Sequence, residues 1–174
     1  MQRRTLLRVG LVAGVTLAAG AGLLATMAPA RRDGLLTPPA REFFAAVARG
    51  VLGPLIPADA TAAQRALDAH LQRLQAAISA MPPGVQAEID ELITIAISAP
   101  GRRLLIGLPM PWADARAGEV EAALQALRGS SLALRQQVYQ ALRELTNAAF
   151  FADASTWPLL GYAGQRPVPN RPAA

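Results

Sequence analysis

Residues 131–151 read SLALRQQVYQALRELTNAAFF, and this stretch decides the fold class. Leucine, valine and alanine recur every three or four positions, while arginine, glutamine and glutamate fill most positions between them. This spacing predicts one amphipathic helix that begins after a cap at Ser130 or Ser131 and ends near Phe151. Such a helix needs other helices to cover its apolar face. The predicted buried face consists of Leu134, Val138, Leu142, Leu145 and Ala149.

Earlier segments repeat this pattern, and proline or glycine separates each from the next. Thr37 is the expected cap of the first helix, and Gly53-Pro54 is its expected end. Residues 92–97 are rich in isoleucine, so a strand stays an open alternative there. The sequence therefore predicts an all-α, single, bundle-like domain of five or six helices. The earlier helices are expected at 37–52, 61–79, 85–99 and 115–127, and one short extra segment is expected at 102–108.

The flanks differ from this domain in composition. Residues 31–36 are expected to be a linker into the helical domain, which extends over 37–164. Its last part, 150–164, is apolar and aromatic but broken by proline and glycine, which predicts an irregular, ordered loop. Residues 165–174 hold three prolines and are expected to form an extended tail.

The N-terminus has the three parts of an export signal. It begins MQRRTLLRVG, continues as an uncharged run and ends in small residues at Ala30. Paired arginines followed by two leucines indicate the twin-arginine route, which carries proteins that are already folded. We therefore expect a periplasmic protein whose contact with the twin-arginine translocase lies in residues 1–30. The signal residues are Arg3, Arg4, Leu6 and Leu7.

The same segment contains a favoured cleavage site. Ala28 and Ala30 flank Pro29, so small residues occupy both positions that signal peptidase reads, and cleavage is expected after Ala30. An uncleaved anchor is the alternative, because about 20 apolar residues suffice to span a bilayer. The many glycines and alanines in the run gain little in lipid, which favours cleavage. Without cleavage the protein would be membrane-associated, through this segment alone.

The composition excludes several kinds of site. The 174 residues contain no cysteine and one histidine. Disulfides, iron–sulfur ligation, thiolate zinc sites and cysteine nucleophiles are therefore excluded. All 17 basic residues are arginine, and beyond the leader fourteen of them stand against 12 acidic residues, a net charge of +2. No dense basic stripe alternates with aromatic residues, so nucleic-acid binding is not expected.

Two features could suggest catalysis or metal binding, and each has a simpler explanation. His70 lies at the edge of an apolar helical face without an acid beside it, so it is expected to be a half-buried or surface residue. Glu88, Asp90 and Glu91 fit the start of a helix, where the dipole favours negative charge. We predict no catalytic residue, no metal site and no cofactor-binding residue in this chain.

Aromatic residues near the C-terminus are the candidates for a contact surface. Trp157 and Tyr162 belong to the predicted loop, and both self-packing and partner contact stay open for them. The candidate partner interface consists of Tyr139, Phe150, Phe151, Asp153, Trp157, Gly161 and Tyr162.

Together with the leader, several short stretches resemble a known family. They are LTP at 36–38, FF at 43–44, LRQQVY at 134–139, FFAD at 150–153 and WPLLGYAG at 157–164. The combination is similar to the gluconate 2-dehydrogenase subunit 3 family, the small leader-bearing subunits of membrane-bound flavin dehydrogenases. Relatives often continue with Gly-Pro-Pro, whereas this chain has GQRP at 164–167.

The resemblance implies a non-catalytic, gamma-type small subunit that escorts, exports and stabilises a periplasmic FAD-dependent dehydrogenase. The implied partner is a glucose–methanol–choline type catalytic subunit that holds the FAD and lacks its own leader. A cytochrome subunit is a further potential partner. The alternative is a free-standing exported helical protein that binds a small apolar ligand or the membrane surface.

Overall fold

The structure, a computed structural model, describes residues 27–162 and has helices where the apolar period predicts them. In that range the all-α, bundle-like fold is confirmed, and the long helices begin and end within a few residues of the predicted positions. They are α1 (Pro38–Leu52), α2 (Ala60–Ser79), α3 (Pro83–Ile97), α4 (Ala117–Arg128) and α5 (Ala133–Phe151). Shorter helical segments are Gly53–Leu55, Ala99–Gly101, the π-helical Arg102–Ile106 and the 3-10 helix Ala154–Leu160.

Helix α1 lies at the centre of the bundle and contacts each of the other four long helices. Two prolines open it, which the first turn of a helix tolerates because its N–H groups have no partner in the helix. It ends at Gly53, whose φ of 46° suits glycine. It packs closely against α4, since a Cβ at Gly50 would lie 2.9 Å from a methyl group of Val120. Gly50 thus permits the two helices to approach.

Aromatic rings form the middle of the main core. The ring of Phe43 lies 4.9 Å from that of Phe44 and 4.8 Å from that of Trp112, measured between centroids. The indole N–H of Trp112 donates to the carbonyl of Ala96 at 2.9 Å, so this buried donor is satisfied. A second, smaller cluster contains Ala48, Leu52, Leu67 and Phe150.

Helix α2 buries the predicted face of Leu67, Leu71, Leu74 and Ile78 against its neighbours. Asp59 caps it, with its carboxylate accepting from the N–H of Ala62 at 2.8 Å. His70 is also buried, at 1 % exposure, and the expected edge or surface position is wrong. His70 lies three residues after Leu67 and four before Leu74, so the helical spacing places it on the same buried face as these leucines.

Helix α5 confirms most of its predicted face but not its start. Val138, Leu142 and Ala149 are buried, whereas Leu134 is 39 % exposed in the first turn. The helical period alone could not reveal this, because burial also needs a neighbouring element at that point. Leu132, not a serine, is the residue before the helix, and the Ser130 hydroxyl accepts from its N–H at 3.2 Å.

Helix α3 is helical through residues 92–97, so the strand alternative is not adopted. It buries Ile89, Ile93 and Ala96, which repeat at helical spacing. The acidic residues expected in its first turn lie further along, because the helix already begins at Pro83 and has no acidic residue in that turn.

Residues 31–36 form a small hairpin, where the composition predicts a linker. Its strands are β1 (Arg31–Arg32) and β2 (Leu35–Leu36), paired antiparallel with Arg31 opposite Leu36. Asp33 and Gly34 form the turn with φ of 52° and 78°. Asp-Gly is a preferred pair for two-residue hairpin turns, so this signal was present in the sequence.

A candidate partner-binding surface at the C-terminal end

The segment after α5 is attached to the bundle by an arginine of α2. Arg73 Nε donates to the carbonyl of Ala149 at 2.9 Å, and its Nη1 donates to Asp153 Oδ2 at 3.1 Å. The other oxygen of Asp153 accepts from the N–H of Ser155 at 3.0 Å and so caps the next turn. Hydrogen bonds from Ser155, with a smaller contribution from Arg73, hold the pKa of Asp153 below its ordinary value. Asp153 therefore has a structural role, because it joins α2 to the turn that follows α5.

Two further side chains fix the turn that follows. The buried Thr156 donates from Oγ1 to the carbonyl of Asp153 at 2.7 Å. The indole N–H of the half-buried Trp157 donates to the carbonyl of Phe151 at 2.8 Å. The segment is thus a 3-10 helix, Ala154–Leu160, where the sequence predicts an irregular loop.

Three large apolar side chains project outward from this turn and its end. Leu159 is 56 % exposed, Leu160 59 % and Tyr162 47 %. We call these three residues the C-terminal patch. The ring of Tyr162 lies 5.5 Å from that of Trp157, between centroids. Apolar side chains that share a short, fixed segment of the surface are typical of interaction sites.

The predicted interface residues divide into buried and exposed ones. Phe150 is only 7 % exposed and belongs to the second core cluster, and Tyr139 is half-buried against the main core. The burial of Phe150 places its ring in the core rather than on a partner surface, whereas the interface role of the half-buried Tyr139 stays a prediction. Phe151 is half-buried, with its ring 5.1 Å from that of Phe150 between centroids. Gly161 and Tyr162 are exposed, and Gly161 ends the turn with a φ of 71°.

Leu159 and Leu160 are the surface residues that the sequence interpretation missed. Attention to aromatic residues placed Trp157 and Tyr162 in the candidate interface and passed over the leucines between them. Since Trp157 bonds back to α5, the following residues face away from the bundle. The signal was a pair of adjacent leucines after a proline in a segment too short to bury both.

His70 lies in an apolar environment without a catalytic partner in residues 27–162. Neither of its ring nitrogens has a hydrogen-bond partner there, and the ring of Phe150 lies 6.5 Å away between centroids. Burial, and secondarily the charge of Arg73, lower the pKa of His70 to about 4. The ring is therefore neutral at pH 7. The hydroxyl of Thr146 on α5 is likewise buried without a partner in this range.

One acidic residue of α3, Asp90, binds the hairpin. The carboxylate of Asp90 accepts from Arg31 Nε at 2.7 Å and from Nη2 at 2.8 Å, a bidentate pair. The hydrogen bond to Asp90 raises the pKa of Arg31 further above its ordinary value. In the part of the chain that the structure describes, no group of three or more histidine, aspartate or glutamate side chains is placed to hold a metal ion.

The predicted cleavage site lies at the edge of the described residues. Ala28 is exposed, whereas Ala30 is 1 % exposed and belongs to the main core. The N–H of Ala30 donates to Thr94 Oγ1 on α3 at 3.1 Å. The predicted export-signal residues, Arg3, Arg4, Leu6 and Leu7, lie outside the described residues.

No family model, curated protein or solved structure matches this chain. Among residues 27–162, no single helix is both long and apolar enough to cross a membrane. Only the pair Pro38–Leu55 and Ala60–Ser79, bent by 120° between them, reaches that length and composition together.

Proposed function

We propose that this chain is a non-catalytic small subunit that escorts, exports and stabilises a periplasmic FAD-dependent dehydrogenase. The C-terminal patch carries the proposal, because it is an apolar surface on a turn whose conformation is already fixed. The leader-like N-terminus and the lack of a catalytic constellation in the sequence support it. The FAD belongs to the partner subunit, and this chain contributes no cofactor-binding residue.

Shared export explains why such a subunit needs a twin-arginine leader. A flavoprotein must fold around FAD where FAD is made, so it has to cross the membrane in the folded state. A partner without a leader can cross only when it is bound to a chain that carries one. A chain that has both a leader and a docking surface would meet both requirements, export in the folded state and a bound carrier for the partner.

The fixed geometry of the C-terminal turn suits a binding role. Arg73, Asp153 and Trp157 hold the turn through side-chain hydrogen bonds to the end of α5 and within the turn itself. Ordering a flexible segment on binding costs free energy, and a segment that is already ordered avoids that cost. Leucine and tyrosine side chains presented in this way can enter apolar pockets of a partner, where a few anchors supply most of the affinity.

Co-purification with a leaderless FAD-dependent dehydrogenase co-expressed from the same organism tests the proposal. We expect the tagged chain to retain a yellow, FAD-containing partner. The double variant Leu160→Ser, Tyr162→Ser should lower the affinity by about 30-fold, as for loss of one central anchor. The matched control is Leu104→Ser on the segment Arg102–Ile106, because Leu104 is 83 % exposed but lies outside the patch.

Each outcome of this experiment has a defined meaning. Loss of the flavoprotein with the patch variant but not with the control supports the proposal. Equal recovery of flavoprotein with all three chains contradicts the assignment of the patch. A stable monomer that retains no flavoprotein and carries an extracted apolar molecule would support the alternative of a free-standing binding protein.

A further inference from the structure

We infer that the peptide bond between Ala30 and Arg31 is protected from signal peptidase in the folded domain, so that the N-terminal segment stays attached and tethers the exported protein to the membrane. This inference rests on the export route in the proposed function. Its basis is the way in which residues 29–37 pack onto the bundle.

The carbonyl group that a peptidase would attack is already occupied. The carbonyl oxygen of Ala30 accepts from the N–H of Thr37 at 3.0 Å. The Thr37 hydroxyl lies 2.9 Å from the carbonyl oxygen of Pro29 and 3.1 Å from that of Ala30, so the two carbonyls share its single proton. Proteases bind their substrates as extended strands whose backbone groups are free to pair with the enzyme. The Thr37 contacts occupy those groups.

The side chains on both sides of this bond are occupied as well. The methyl group of Ala30, which signal peptidase would need to place in its small-residue pocket, is buried in the main core. On the other side, the Arg31 side chain is 8 % exposed and paired with Asp90 of α3. Arg31 also donates to Gln86 Oε1 at 3.0 Å.

The remainder of the hairpin strengthens this attachment. The N–H of Leu36 donates to Gln75 Oε1 of α2 at 3.0 Å, and Leu36 itself is buried in the main core. The hairpin is therefore bonded to both α2 and α3. Exposing the bond after Ala30 requires the hairpin to separate from both helices, which makes it a local unfolding event.

The export route makes this protection consequential. A chain that crosses the membrane unfolded meets signal peptidase before its domain exists, and the bond is then accessible. A chain on the twin-arginine route is folded before it crosses, so signal peptidase meets the bond in the buried form. The uncharged run that ends at Ala30 is long enough to remain as an anchor.

A cleavage assay with purified signal peptidase tests the protection directly, with the full chain in mild detergent and mass spectrometry as the readout. The comparison is a variant with roughly eight residues inserted after Ala30, a flexible Gly/Ser spacer followed by a second Ala-Pro-Ala. The second copy can occupy the packed position, while the original copy becomes accessible. We expect the native chain to be cleaved at least about 100-fold more slowly than this variant.

Point variants locate the cause of the protection. Thr37→Val combined with Asp90→Asn removes the hydroxyl bonds and the charge pair, and should accelerate cleavage at Ala30. Asp68→Asn is the matched control, because it removes the ion pair with Arg41, which does not involve the hairpin. The control should stay as resistant as the native chain.

Two results would overturn the inference. One is native chain cleaved after Ala30 as fast as the insertion variant. The other is equal resistance of both, which would place the cause in the leader itself. In cells, the exported protein should be found in the membrane fraction with the mass of the full chain. A chain retained in the cytoplasm would count against the proposed function. The assay with purified signal peptidase would still decide whether the bond after Ala30 is protected.

Discussion

Acidification below pH 6.5 should destabilise the domain through its single histidine. The pKa of His70 falls from 6.5 to about 4 on folding, chiefly because the ring is buried. Above pH 6.5 the ring is neutral in both states and contributes no pH dependence. Between these two values the unfolded chain binds a proton that the folded chain does not, so stability falls as the pH falls. Below about pH 4, the pKa of the folded state, this loss of stability is complete.

The expected size of the loss follows from the two pKa values. Their difference corresponds to about 3 kcal/mol at full development. A single domain of this size has a stability on the order of 10 kcal/mol, so the effect is readily measured. His70→Leu removes the titrating group. Because neither ring nitrogen has a partner in residues 27–162, this variant should be at least as stable as the native chain at neutral pH.

Urea unfolding of the full chain in mild detergent measures both effects. Fluorescence from Trp112, which is buried in the main core, and from the half-buried Trp157 reports unfolding. Curves recorded from about pH 7.5 down to about pH 4 should diverge, with the native chain losing stability that His70→Leu retains. Carboxylates titrate in both proteins, so the difference between the curves isolates the histidine. Parallel curves across this range would refute the reasoning.

Three further changes have definite expected outcomes. Replacing both leader arginines with lysine should leave the protein in the cytoplasm, because the twin-arginine receptor reads the paired guanidinium groups, and cell fractionation would show this. Trp157→Ala removes one hydrogen bond and a half-buried ring, so it should lower the free energy of unfolding by only about 1–2 kcal/mol and weaken partner binding more. A larger loss of stability in urea unfolding would indicate that Trp157 belongs to the core. Gly101→Ala should lower the free energy of unfolding by roughly 3 kcal/mol, because its Cβ would overlap the carbonyl oxygen of Ile95, whereas Gly118→Ala has open space around it and should stabilise α4 slightly. Equal urea-unfolding midpoints for the two variants would contradict both expectations.

The helical period was sufficient to predict the bundle and most of the faces that pack within it. The face of α2 shows why, because residues at spacings of three and four must lie on one side of a helix. The same rule would have placed His70 on that face. The expectation of a surface position came from its chemical type, and the spacing was the better guide.

The exposed and buried residues near the C-terminus could not be separated from sequence alone. Phe150 and Phe151 are adjacent and chemically identical, yet Phe150 is buried and Phe151 is half-buried. Which of them meets the bundle depends on how the end of α5 is held by Arg73, a residue of α2. Such a contact joins residues 76 positions apart, and no local pattern reports it.

The hairpin shows a different limit of sequence interpretation. Its Asp-Gly turn was recognisable, but strands of two residues carry no useful alternation. Its attachment to α3 through Arg31 and Asp90 depends on tertiary structure. The consequence for the bond after Ala30 therefore emerges only from the folded domain.

The location of the partner flavoprotein tests the central claim most directly. FAD-dependent dehydrogenase activity should be measured in cytoplasmic, membrane and periplasmic fractions of cells with and without this chain. We predict activity in the membrane or periplasmic fraction only in cells that contain the chain with its paired arginines intact, and cytoplasmic or lost activity otherwise. Unchanged activity in the membrane and periplasmic fractions after deletion of the chain would contradict its role as the escort.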